Sequence, residues 1–539
     1  MNSDSLGRGI GNSGLRPKKT FTFAANPKFY ATVPEPYRDY YNLFVKEWLA
    51  WYDGYVSWFH NDNSGIMSTR LAQTVADKLA RQITGGKLLF DDCGHESDET
   101  QEFKGKQKNA IDFAQSWTNK YRFVPKMIRG LSWALAAGDS IIKLDSHKGD
   151  IYPTILRKDY YFLDTNFQGE IVKFSGHLHT ETKQIKDEAG RTHEEDYYIM
   201  EERRYNEQDG RPQYRLSIKK GQASKPSYKD VDFQTGDFRF KDLTDGIRSR
   251  LVKQFPRVTF NQWEDLPLNH IGVYMLKATE GVSFQPSLPF GESIFSNALE
   301  LLQAYDYYSS SMMTDQYLGR GKVLLPRGMD GPNEGNRHFD GYDETFMQQI
   351  PYANPDEQTP ISIQFDLRAE QWRMTRDNIL QQLAMKLGIN PRDLATFIVP
   401  ASEKPSAQEI STDENETALW IESKRDINHA EIQALFDTLL DFYDFTNSDI
   451  EVKFSQRGLN NMNSLINQTA ILKQNNLIND DMAIDRLYPD LNEVQKQKLK
   501  EDLKNGNNDS GSQDETTTVE EENENSYRNG INQIPNESE

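Results

Sequence analysis

Cysteine is almost absent from this 539-residue chain, Cys93 being the only one. A single thiol excludes an intrachain disulfide and any thiolate metal cluster, and a reducing compartment is its natural setting. Long apolar runs are missing too. No stretch is long enough and apolar enough for a membrane-spanning helix, so no membrane partner is expected. The first residues, MNSDSLGRGIGNSG, lack the apolar core of a secretory signal and are expected to form a flexible arm. Apolar residues make up only 36% of the chain, and the mean hydropathy is -0.77. This length allows several cores, and the balance suits a multi-lobed protein with much polar surface.

Positive charge is also short, with 62 Lys and Arg against 82 Asp and Glu, a formal charge of -20. That disfavours tight wrapping of nucleic acid, which needs cations facing phosphates. It is compatible with an acidic wall past which DNA slides, but an ordinary acidic surface is the commoner cause of such a charge.

Catalytic motifs are the third absence. A phosphate loop ends Gly-Lys-Ser/Thr before a helix, whereas Gly321 and Lys322 are followed by Val323 and a strand pattern. His177 and His179 alternate in a strand pattern that puts both rings on one side, as a metal site would need. No cysteine is near them, and solvated histidines beside a turn are the plainer reading. Asp330, Asn333 and Asp340 do not follow calcium-loop spacing. Cys93 stands beside His95 in DDCGHE without a persuasive partner, and no serine-nucleophile elbow occurs. The chain reads as a non-enzyme, with no cofactor and no metal expected.

What is present is a sequence of contrasting patterns. Residues 35–55 are aromatic and helix-compatible. Leu71, Val75, Leu79 and Ile83 recur every four residues and predict a helix over 68–83. Further helices are expected over 106–119 and 123–137. Period-two segments then predict an antiparallel meander of five or six strands between 139 and 220, with another strand at 271–277. A long helix is predicted over 292–317, stopped by Gly319 and Gly321. After a Gly/Pro/Asn-rich insert with strands at its two ends, a second long helix is predicted over 367–387, stopped by Gly388. Pro391, Pro400 and Pro405 are expected to exclude continuous helix before a third long helix over 413–443. A strand at 449–455 and shorter helices at 460–474 and 480–487 follow. Beyond 504 the chain is acidic and poor in apolar residues, which predicts a disordered tail.

The strings FGESIFSNALELLQAYDYYSSSMMTDQYLGRGKVLLP and PASEKPSAQEISTDENETALWIESKRDINHAEIQALFDTLLDFY carry a family likeness. With the helix–insert–helix–loop–helix order, they resemble the portal proteins of tailed bacteriophages, in the branch found in phages of Gram-positive bacteria. The likeness spans roughly residues 40–500 and is strongest in 286–443. It implies a multidomain α+β fold: a flexible arm (1–35), a mixed wing lobe (36–285 with 444–457) and paired stem helices (286–318 and 366–388). A strand-bearing clip (319–365), a tunnel loop (389–411), a connecting helix (412–443), a helical crown (458–503) and the acidic tail (504–539) complete it.

The resemblance also implies function. It implies a ring, usually of twelve identical subunits, at the capsid portal vertex of a virion assembled in the host cytoplasm. Double-stranded DNA passes through such a ring non-specifically during packaging and ejection. The partners implied are the terminase large subunit, which would hydrolyse ATP, head-completion or adaptor proteins, and the major capsid and scaffold proteins. Alternatives are another head protein, such as a scaffold or minor capsid component, or a metal-dependent DNA-processing enzyme. On the portal reading, Glu292, Glu300, Asp306 and Asp315 are candidates for an acidic channel wall, and Arg392 and Lys404 for DNA contact in the tunnel loop. Arg368, Arg373 and Arg376, with Trp48, Trp51 and Trp58, are the subunit-interface candidates. The plainer alternatives are a solvated helix face for the four acids and an ordinary core for the tryptophans, and phosphate contact is the other reading of Arg368, Arg373 and Arg376.

Overall fold

A computed structural model describes residues 35–55, 66–92, 101–147, 149–166, 169–186, 192–222, 225–230, 260–319, 322–325, 346–348, 361–363, 368–398, 407–445 and 450–455. It also describes Val33 and, past residue 460, residues 469–470, 472–474, 478–488 and 496. Trp58, Cys93, His95, Lys404, the acidic tail and nearly all of the arm lie outside the described residues. So do most of the insert and much of 458–503. The chain divides into two compact units, Met1–Asn460 and Asn461–Glu539. Among the described residues the architecture is mixed α+β with several sheets, none closed into a barrel.

The aromatic run forms α1 (Glu35–Asp39), a π-helical stretch (Tyr40–Val45) and α2 (Lys46–Asp53). The four-residue repeat forms α3 (Leu71–Thr84), with Leu71, Val75, Leu79 and Ile83 all buried. Ala72, Ala76 and Ala80 share that buried stripe, and such small side chains let α5 (Phe123–Ala137) lie close. Between them come strand β1 (Leu88–Asp92) and α4 (Gln101–Lys120).

The expected meander divides into two sheets. Strands β2 (Asp139–His147) and β3 (Asp150–Arg157) pair antiparallel, and β10 (Val273–Lys277) joins them in the order β10-β2-β3. A 3-10 turn at Lys158–Tyr160 then redirects the chain. Strands β4 (Tyr161–Thr165), β5 (Ile171–Lys186), β6 (Thr192–Tyr205), β7 (Pro212–Gln222) and β8 (Lys225–Asp230) form the second sheet in sequence order. The two-residue strand β9 (Glu264–Asp265) pairs with β7.

Two buried ionic groups sit where these layers meet. In the first, Lys143 and Asp145 of β2 face Glu201 and Arg203 of β6, and each of the four is 3% exposed or less. The Lys143 ammonium contacts Glu201 and lies 2.9 Å from Asp145. The Arg203 guanidinium lies 2.7 Å from each carboxylate and donates to the carbonyls of Leu144 and Ile271. Burial opposes ionisation of Glu201, yet the charges of Lys143 and Arg203 outweigh it and hold its carboxyl below the usual range.

In the second group, Lys158 is fully buried and donates to both carboxylate oxygens of Asp139, at 2.6 and 2.7 Å. Its ammonium lies 3.5 Å from the Phe290 ring centre, 5.3 Å from those of Tyr41 and Tyr161, and 5.6 Å from that of Tyr40. Asp139 also accepts from the backbone N–H of Gly291. Gly138 and Gly291 pass so close that a Cβ on either would collide with the other's carbonyl. This contact ties the aromatic run and the first sheet to the segment leading into the next helix.

That helix, α6, runs Leu299–Leu318, shorter at its start than the 292–317 predicted. Residues 294–298 are turns instead, with Ser296 and Ala298 bonded to carbonyls three residues back, and Ala298 has a non-helical φ of -126°. The insert contributes β11 (Lys322–Leu325), β12 (Phe346–Gln348) and β13 (Ile361–Ile363), in the order β12-β11-β13. Helix α7 (Ala369–Leu387) ends at Gly388, whose φ is 71°.

The proline-bearing segment is not wholly loop. Pro391 opens a helix, α8 (Pro391–Ile398), because a first-turn N–H has no intrahelical acceptor to lose and the ring pre-sets φ. Asn390 supports that start by accepting from the Arg392 N–H at 2.8 Å. Helix α9 (Ala407–Phe442) begins six residues earlier than predicted, and β14 (Ile450–Phe454) returns to pair antiparallel with β1. Within the second unit, α10 (Asp480–Leu487) occupies the predicted span and is capped by Asn479, which accepts from the Met482 N–H.

Candidate functional site

The candidate site is the helical hairpin of α6 and α7 with the three-stranded sheet between them in sequence. Strand β11 begins shortly after α6, β13 ends shortly before α7, and the two pair antiparallel, so the insert leaves and returns at adjacent points. The helices are joined by Asp315 of α6, which accepts from Arg368 Nη2 at 2.8 Å and from Trp372 Nε1 at 2.9 Å. Tyr308 and Trp372 pack with ring centres 5.7 Å apart.

Of the four acidic channel candidates, two are removed from any channel surface. Glu292 precedes α6, is only 7% exposed, and accepts from the Ser283 N–H at 2.8 Å. Burial opposes its charge, and the hydrogen bonds from Ser283 and Ser296 outweigh that and hold its carboxyl below the usual range. Asp306 is 2% exposed and accepts from both the N–H and the hydroxyl of Thr69. Burial pushes its carboxyl above the usual range, with the Thr69 hydrogen bonds opposing. A helix face cannot show DNA a carboxylate that the chain's own backbone already holds. Glu300 is exposed in the first turn of α6, where a negative charge suits the helix dipole, and Asp315 is partly exposed.

The arginine candidates are engaged within their own chain. Arg368 pairs with Asp315, Arg373 with Glu370 at 3.1 Å and Arg376 with Asp377 at 2.8 Å. Exposed pairs of this kind are worth roughly 0–1 kcal/mol and leave the side chains able to exchange partners. Arg392 is exposed on the first turn of α8. Trp48 and Trp51 are 3% and 6% exposed and belong to the chain's own cores, Trp48 packing on Tyr40 and Phe44. They therefore offer no surface to a neighbouring subunit. Tyr37, Tyr40 and Tyr41 of the aromatic run crowd around Phe290, with Lys158 beside Tyr40 and Tyr41, a contact that no local pattern announces.

The residues that sequence reasoning missed are apolar. Tyr307 and Met313 of α6 and Met374 and Met385 of α7 are between 45% and 72% exposed. A signal for two of them exists, because Tyr307-Tyr308 and Met312-Met313 are adjacent and adjacent residues cannot share one helix face. Tyr308 turns inward, so Tyr307 turns out.

The paired histidines do not form a regular face. A register shift places His177 opposite Met200 and His179 opposite Ile199, so the bulge between them interrupts the alternation. His177 is buried, its Nε2 lies 2.8 Å from Thr180 Oγ1, and burial, with a smaller effect of His179, pushes its pKa down to about 4. A depressed folded value means that the stabilising contribution is full above the usual value of 6.5 and is lost as pH falls towards 4. His177→Gln is expected to remove about 2–3 kcal/mol of the stability difference between pH 7 and pH 4, read from urea midpoints at the two values. An unchanged difference would assign the acid sensitivity elsewhere.

Among the described residues, no group of three or more His, Cys, Asp or Glu is arranged to hold a metal ion, and no helix is long and apolar enough to cross a membrane. No protein-family model matches the chain, and no curated protein matches it either.

Proposed function

We propose that this chain is a portal subunit, one of a closed ring, usually of twelve, through which a tailed phage packages and ejects its DNA. The observation that carries the reading is the hairpin: two helices of 20 and 19 residues bracketing a three-stranded sheet, then an 8-residue helix and one of 36 residues. At about 1.5 Å per residue each hairpin helix is about 30 Å long, enough to form a substantial part of a channel wall. Exposed Tyr307, Met313, Met374 and Met385 support it as well. Large apolar side chains left outward on a helix pair are what an assembly interface uses. The terminase large subunit would act as the motor, head-completion proteins would dock on the insert, and capsid and scaffold proteins would meet the outer lobe.

Cryo-electron microscopy of the purified protein, with no symmetry imposed, tests this. Hollow rings with a channel wide enough for a duplex and the hairpin alongside it are expected. A closed assembly with no passage, or a chain that stays monomeric in the presence of phage head proteins, would overturn the proposal.

A further inference from the structure

The long helix α9 touches two sheets that do not touch each other through any strand pair: the β10-β2-β3 sheet and the β1-β14 pair. Both end in an edge, β10 in one and β14 in the other, and a strand edge presents N–H and C=O groups that need partners. Helix α9 supplies them from side chains. Asn428, which is fully buried, accepts from the Lys277 N–H at 2.8 Å and donates to the Lys277 carbonyl at 2.9 Å. One residue exchanging both bonds with one residue is the hydrogen-bonded pair of an antiparallel ladder. Two residues along β10, the Met275 N–H donates to Glu431.

The other edge is held in the same way. Gln433 donates to the Ile450 carbonyl at 2.7 Å and accepts from the Val452 N–H at 2.9 Å. Its carboxamide thus spans two positions of β14, as a residue of a parallel strand would. His429 Nε2 lies 2.8 Å from the Val452 carbonyl. At about 100° per residue, 428 and 431 fall on one flank of the buried stripe of Ile432, Leu435, Phe436 and Leu439, and 429 and 433 on the other.

We propose that α9 is a two-sided clamp whose carboxamides at 428 and 433 stand in for strand residues, so that the edges of two separate sheets are covered or exposed together. The stripe between the flanks is packed on both sides, so the helix cannot move away from one edge without straining its hold on the other. This conformational coupling does not depend on the function proposed above.

Amide hydrogen exchange on the full-length protein tests it. Asn428→Asp keeps the acceptor for Lys277 but replaces the donor with an oxygen that faces a carbonyl. Gln433→Glu does the same at β14. Each variant is expected to speed exchange tenfold or more at Met275 and Lys277 and, by a similar factor, at Val452, while the β5–β6 ladder is unchanged. Acceleration confined to the substituted edge would overturn the clamp. Should N428D also expose the β5–β6 ladder, it has unfolded the chain, and the milder, half-buried Q433E decides. Faster exchange at Met275 and Lys277 supports the coupling, and unchanged exchange there refutes it.

Discussion

Lys143→Met is expected to destabilise the fold by about 3–5 kcal/mol, the usual cost of leaving a buried charge without its partner. The wild-type group is neutral: two cations and two carboxylates, all buried, with every charge touching two of the opposite sign. Removing the ammonium leaves Asp145 and Glu201 to share Arg203, with one uncompensated negative charge between two sheets. Methionine fills much the same volume, so the loss is electrostatic rather than a cavity. A second substitution, Glu201→Gln, restores neutrality and is expected to recover more than half of the loss. Urea midpoints for the two single variants and the double variant measure this, given unchanged slopes. A loss below 1 kcal/mol, or simple additivity in the double variant, would mean that the group is less tightly coupled than its distances imply.

The second large effect lies in the aromatic cage. Burial pushes the pKa of Lys158 down to about 8 against the opposing pull of Asp139. Below that value the ammonium has one carboxylate and the faces of four rings for company, and buried cation–π contacts are worth ~2 kcal/mol or more. Asp139→Asn removes the counter-charge that it contacts among the described residues. The expected loss at pH 7 is about 3–5 kcal/mol.

The pH dependence follows from the sign of the shift. A folded pKa below the unfolded one means that the folded state holds fewer protons between about 8 and the usual 10.5, so this lysine's contribution to stability rises with pH across that window. By pH 9 the wild-type amine is largely neutral and has less need of Asp139, so the penalty of D139N is expected to be smaller there than at pH 7. Denaturant titrations of both proteins at the two pH values give the comparison. An equal penalty at both would show that Asp139 acts through Tyr161 and the Gly291 N–H rather than through the lysine's charge.

Much of the local structure is legible in the sequence. The apolar period of four over Leu71–Ile83, the glycine stop at Gly388 and the turn-separated alternation after Asp139 each report an interaction within a few residues, and α3, α7 and the strands follow. The candidate site was less legible. Glu292 and Asp306 look like any acids on an amphipathic helix until Ser283 and Thr69, far away or outside the helix, supply their donors. The aromatic run looks like a contact surface until Lys158 and Phe290 arrive from 120 and 250 residues further along to make it a core.

The sequence by itself determined the kind and order of most elements, though not the short helix α8: helices and a strand meander, two long helices around a strand-bearing insert, and a third long helix. Periodicity and helix stops are short-range properties, written in neighbouring side chains. Tertiary structure alone decided the division of the meander into two sheets, the conversion of Trp48 and Trp51 from surface to core, and the hold of α9 on two strand edges. Those outcomes depend on which distant groups meet, because a buried charge, amide or aromatic ring is stable only beside partners that one-dimensional spacing does not specify.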